Sequence, residues 1–162
     1  MEKRTVYLPE GDLMDTPENK AATATLTALM QAQAEGLLLE GRAVRCDVDH
    51  NLYVKLPCGE GIIPHHEGAL GIAEGTTKDI VLITRVNKPV CFTVIGFEHT
   101  DTGCRPILSR RVAQQRCREE FLDRLQLGDV IPARITRLES FGAFCDIGCG
   151  INALLPIDNI SV

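Results

Sequence analysis

The chain reads as a mainly β protein, built on small five-stranded antiparallel Greek-key barrels with helices between them. Three observations carry that reading. The first is a bent meander near the C-terminus, where Val130, Arg134-Ile135-Thr136 and Leu138 form a β-branched run before Ser140-Phe141-Gly142. Phe144-Cys145-Asp146-Ile147 resumes beyond it, Gly148-Cys149-Gly150 turns again, and Ala153-Leu154-Leu155-Pro156 opens a third strand. Gly142 stands at the bend, where positive φ is open to glycine and closed to most side chains. The second is that the same plan recurs about 91 residues earlier. The third is a run of short β-rich segments after that earlier copy, sufficient to close a barrel.

Taken in order, residues 1–15 mix proline, glycine and acids without period and are expected to be loosely ordered. Thr16 before Pro17-Glu18 has the form of a helix cap followed by proline at the first helical position. Ala21, Ala24, Leu26, Leu29, Met30, Ala32, Ala34 and Leu37 predict an amphipathic helix over 16–37 that packs on the following barrel. Residues 38–110 form the divergent first copy. There Leu39 to Val44 matches the opening strand, Tyr53-Val54-Lys55-Leu56 matches Phe144 to Ile147, and Gly61 to Pro64 matches Ala153 to Pro156. Asp49-His50-Asn51 takes the place of the Phe-Gly turn. Gly68 to Gly71 predicts a short helical turn, Asp79 to Val86 a strand, Val90 to Ile95 another, and Pro106 to Ser109 the last. Val112, Cys117, Phe121, Leu122 and Leu125 have helical spacing and predict a linker helix over 111–127. Residues 128–162 then give the first half of a second barrel, with three strands where five are needed. Unpaired edges are normally protected, so this half-module is expected to be completed by further chain or by a second molecule.

GDVIPARITRLESFGAFCDIGCGINALLPIDNIS resembles the first half of the S-one RNA-binding repeat, a module of the oligonucleotide-binding (OB) fold. The resemblance rests on Gly128, Asp129 and Val130, on Phe141-Gly142-Ala143-Phe144, and on Leu154-Leu155 followed by Ser161. Ala133 and Ala153 stand where the family usually has glycine, and Pro156 where many members carry an RNA-facing histidine. Ile107-Leu108-Ser109-Arg110-Arg111 resembles the closing strand of the repeat. Such modules occur in the largest protein of the small ribosomal subunit and in several RNA-processing enzymes.

The resemblance implies binding of single-stranded RNA, with no bond broken. Base faces stack on outward rings and guanidinium groups hold phosphates. On that basis Phe141 and Phe144 are the stacking candidates, with Arg134 and Arg137 on phosphate. In the first copy Tyr53 is the counterpart of Phe144, with Lys55 and Arg85 beside it. Its turn has no second aromatic, so weaker RNA binding or protein contacts are expected there.

Charge adds a second line. The net charge is −5, yet residues 105–137 hold eight arginines against four acids, and the remainder is strongly acidic. This basic seam, including Arg110 and Arg111, is read either as a solvated helix face or as a phosphate track.

Other chemistries find little support. Cys46, Cys58, Cys91, Cys104, Cys117, Cys145 and Cys149 form an odd set without a C-x-x-C pair, as expected of free thiols in a reducing cytoplasm. Neither Cys145 and Cys149 with His65-His66 as a zinc set, nor His65-His66-Glu67 as an acid–base group, has a recognised spacing. Gly59-Glu60-Gly61 is no phosphate loop, and no cofactor is expected. The start of the sequence is not a signal peptide, and no apolar run is long enough to span a bilayer. The reading is thus a non-enzymatic RNA-binding protein of translation, with single-stranded messenger RNA and the small ribosomal subunit as its expected partners. An accessory module of an RNA-processing enzyme and a protein-docking module are the alternatives.

Overall fold

A computed structural model describes residues 5–160, so Ser161 and the first four residues of the chain lie outside the description. Thr16 caps helix α1 (Pro17–Thr23), its hydroxyl accepting from the Asn19 N–H at 3.2 Å. Thr25 then takes extended backbone and caps α2 (Leu26–Glu35), which Gly36 ends at φ +64°. The single helix expected over 16–37 is therefore two. A threonine that accepts from the Ala28 N–H restarts the helix instead of continuing it. Asn19 locks α1 to the first strand, donating to the Glu40 carbonyl at 2.9 Å and accepting from the Glu40 N–H at 2.8 Å.

Five strands follow: β1 (Leu39–Cys46), β2 (Leu52–Leu56), β3 (Gly59–Ile63), β4 (Pro89–Thr100) and β5 (Gly103–Ser109). They close into a barrel in the order β1-β2-β3-β5-β4, with β4 returning to β1. The pairings are antiparallel except one. β3 meets β5 parallel at Ile62 and Ile107, which corrects the all-antiparallel expectation. Closure by a parallel contact is what lets the long β4–β5 hairpin fold back across the open side of the β1–β2–β3 meander. Leu52, Val54, Ile63, Val90, Phe92 and Leu108 fill the interior, and Leu29 of α2 joins them. Gly41 permits this packing, since a Cβ there would sit 2.7 Å from Val54 Cγ1.

The run Asp79 to Val86, expected as a strand, holds a short helix instead, α3 (Ile80–Ile83). The ring closes on five strands without it and offers it no edge. Its Leu82 enters the core while Ile80, Val81 and Ile83 face outward, a helical rather than alternating division.

Ser109 ends the barrel and caps α4 (Arg110–Glu120), accepting from the Val112 N–H at 3.0 Å. Phe121 leaves helical backbone with its ring buried, and one 3₁₀ turn (Leu122–Arg124) follows, so the helix is shorter than the 111–127 span expected. β6 (Arg134–Glu139), β7 (Gly142–Asp146) and β8 (Asn152–Pro156) then form a separate antiparallel sheet in that order.

The described part of the N-terminal segment, residues 5–15, is tied down by distant contacts. Tyr7, Pro9 and Glu10 are buried, and the Cys149 N–H donates to the Leu8 carbonyl at 3.0 Å. Tyr7, Cys91, Ala113, Cys117, Phe121 and Cys149 make a second small core between the barrel wall, α4 and the turn after β7. The order of this segment comes from contacts with residues far along the chain, which local composition does not reveal.

Candidate nucleic-acid interface

The two copies share a local device that sets an aromatic ring against an arginine. In the first, the β1–β2 register slips between Ala43 and Arg45, so Arg45 pairs with Tyr53. In the second, β6–β7 slips between Ile135 and Arg137, so Arg137 pairs with Phe144. A bulge at the same place in each hairpin turns the arginine over its ring. The guanidinium carbon lies 3.5 Å from the Tyr53 centroid and 4.7 Å from the Phe144 centroid.

Gly142 makes the second hairpin possible by close approach. A Cβ at that position would stand 2.3 Å from the Leu155 carbonyl oxygen of β8. Phe141 beside it is 51% exposed and meets Phe144 edge-on, with centroids 6.1 Å apart. Phe144 itself is half-buried, with Leu154 opposite it on β8. Arg137 extends over the Phe144 ring and also holds Glu139 at 2.8 Å. The result is an exposed apolar step with a cation on one side.

Tyr53 is placed differently. Leu52, Val54 and Leu56 point into the barrel, so Tyr53 is on its outer wall, yet it is only 9% exposed. Arg45 covers one face, Arg105 stands 5.7 Å from the centroid, and the phenol donates to Asp47 at 3.0 Å. Burial, then that hydrogen bond, pushes the phenol above its ordinary pKa. Lys55, two residues along on the same side, is exposed.

Most of the arginine seam is committed to internal ties. Arg110 is 2% exposed and grips Glu10 with two hydrogen bonds, Nε at 2.7 Å and Nη2 at 2.8 Å. Arg85 joins the same carboxylate at 3.0 Å. Burial alone would raise the Glu10 pKa; the two guanidiniums and the Cys91 N–H outweigh it and hold the group at about 2. Arg111 pairs with Glu67 through both Nε and Nη2, and Arg134 binds the Glu10 carbonyl and the Asp12 carboxylate. Arg110 is therefore removed from the phosphate candidates, because a sealed guanidinium already saturated by a carboxylate cannot meet a polymer in solvent. Arg85 serves the same buried pair. Arg137 and Lys55 are the named cations that remain on the surface beside the rings.

Arg45 escaped the sequence reading, and Arg105 was counted in the basic seam without being linked to Tyr53. Arg45 precedes Arg137 by 92 residues, one more than the 91 that separate Tyr53 from Phe144, and that near match could have found the first. Arg105 reaches Tyr53 only because β5 closes the ring.

No family model matches the chain. It is similar to the small ribosomal subunit protein bS1 of Staphylococcus epidermidis, 41% identical over 61 residues. The bS1 proteins of Staphylococcus aureus and Staphylococcus saprophyticus are 39% identical over the same length. The similarity covers 35% of this chain and 15% of each relative. That identity to bS1 supports an S-one-like domain in the matched part of the chain.

Proposed function

We propose that the protein binds single-stranded RNA in translation, in the cytoplasm, through the Phe141–Phe144 step with Arg137 beside it. The observation that carries this reading is an edge-to-face ring pair left open on a curved sheet with a guanidinium 4.7 Å from one centroid. Exposed rings of that kind accept any base, at about 1–3 kcal/mol per stacked base. The five-strand order β1-β2-β3-β5-β4 with a β1–β4 seam supports an OB-type barrel as the frame. The small ribosomal subunit is the partner this reading takes from the bS1 relatives, and messenger RNA is the single-stranded ligand it assigns to the ring pair.

The test is a fluorescence anisotropy titration of a labelled single-stranded oligoribonucleotide with the whole chain. The double variant Phe141→Ala, Phe144→Ala should bind at least tenfold more weakly, and unchanged affinity overturns the assignment. A second reading applies to the barrel alone. Tyr53 is already covered by Arg45, and the two arginines at its ring are paired, Arg45 with Glu60 and Arg105 with Glu98, which favours protein docking over base stacking on that wall.

A further inference from the structure

His50, His65 and Asp79 come from three separate segments and converge at one end of the barrel. His50 is in the β1–β2 turn, His65 opens the 3₁₀ turn after β3, and Asp79 directly precedes α3. His65 Nε2 lies 2.7 Å from Asp79 Oδ1, and His50 Nδ1 lies 3.6 Å from Asp79 Oδ2. One donor atom from each residue falls within 4.8 Å of the others, and all three side chains are partly buried. Donors around a tetrahedral zinc, bonded at about 2.0 Å, stand roughly 3.3 Å apart. The two separations run to different oxygens of Asp79 and fall on either side of that spacing, so the side chains need only small shifts to share one ion.

The support around these groups resembles that of a metal centre. Asn51 Oδ1 accepts the His65 backbone N–H at 2.9 Å, and Asp47 in turn holds Asn51 through both its N–H and its side-chain amide. His50 is one of three non-glycine residues at positive φ among those described, at +64°, so its backbone is held in a sparsely used conformation. Three of the four histidines in the chain, His50, His65 and His66, stand within ring contact here.

We propose that His50, His65 and Asp79 bind one zinc-type divalent ion, with solvent filling the remaining position. Two imidazoles and a carboxylate suit a borderline ion, whereas calcium and magnesium favour sites built wholly of oxygen. Binding takes up the Asp79 carboxylate as anion and releases to water any proton carried by either imidazole at the coordinating nitrogen. The ion ties the β1–β2 turn to the segment entering α3. Through Asp47, which accepts from Tyr53, it also stiffens the barrel wall that carries the covered ring.

The test is calorimetric titration of the whole chain with zinc chloride, in a background where the three partly exposed cysteines are replaced (Cys46→Ser, Cys58→Ser, Cys104→Ser). One zinc per chain with a micromolar or tighter Kd is expected, with no heat from magnesium chloride. His65→Ala and Asp79→Asn should each weaken binding tenfold or more, whereas His99→Ala should leave it unchanged. His50→Asn, which tolerates the same backbone, provides a variant that keeps the turn. Cobalt should give weak visible bands without the intense near-ultraviolet absorption of thiolate ligation. Absence of stoichiometric binding, or affinity unchanged from the parent in the His65→Ala and Asp79→Asn chains, overturns the proposal.

Discussion

The barrel hairpin β1–β2 and the C-terminal hairpin β6–β7 are two versions of one design, and they part company at closure. Both carry the bulge, the arginine over a ring and the following strand. In the barrel every strand has two neighbours, the interior is sealed, and Tyr53 retains 9% of its exposure. In the three-stranded sheet β6 is exposed throughout, with Ile135 at 59% and Leu138 at 72%. The same local sequence plan thus gives a quiet wall in one place and an open ring pair in the other. What separates them is how many strands cover the hairpin.

The largest effect should come from the group that joins the two regions. Glu10 holds Arg110 and Arg85, accepts from the Cys91 N–H of the barrel at 2.7 Å, and its own N–H donates to Asp146 of β7 at 2.8 Å. Glu10→Ala strands a buried guanidinium, so we expect a loss of about 3–5 kcal/mol in urea unfolding. Because the Glu10 pKa is lowered from 4.5 to about 2, its contribution is whole above pH 4.5 and is lost as pH falls toward 2. A variant as stable as the parent would mean the two regions are joined by something else.

Next in size is the ring comparison. Replacing Phe141 and Phe144 should cost about 1–3 kcal/mol of RNA affinity per stacked base, while Tyr53→Ala should cost far less. Equal losses in anisotropy titrations would erase the distinction between the copies. A third variant acts on the C-terminal sheet alone. Gly142→Ala drives a methyl into the Leu155 carbonyl, and overpacking of that kind costs roughly 1–3 kcal/mol. Hydrogen exchange should then quicken in β7 and β8 while barrel amides keep their protection.

The smallest effect is a pH dependence confined to the join between the N-terminal segment and β1. Burial raises the Glu40 pKa from 4.5 to about 7, against the Gly11 and Leu13 N–H groups that favour the anion. The folded state therefore binds more protons between those values, so its contribution makes stability decline as pH rises from about 4.5 to about 7. Glu40→Gln should flatten that part of the profile in thermal unfolding.

Much of this was legible in the residues themselves. The bent meander, the repeat that pairs Tyr53 with Phe144 and the cap at Thr16 all depend on interactions between near neighbours or on spacing along the chain. The fate of the arginines was not legible. Arg110 finds Glu10 across 100 residues and Arg134 finds Asp12 across 122, and no local pattern records such a pairing. Asp79 to Val86 misled for the same reason, since a β-branched run forms a strand only where an edge is free to receive it.

Composition and spacing alone determined that this chain makes bent hairpins with an aromatic residue on the second strand of each. Only the tertiary structure decided which ring stays open and which cations remain in solvent. Those outcomes depend on which distant groups close over each hairpin, and burial is a property of the assembled fold.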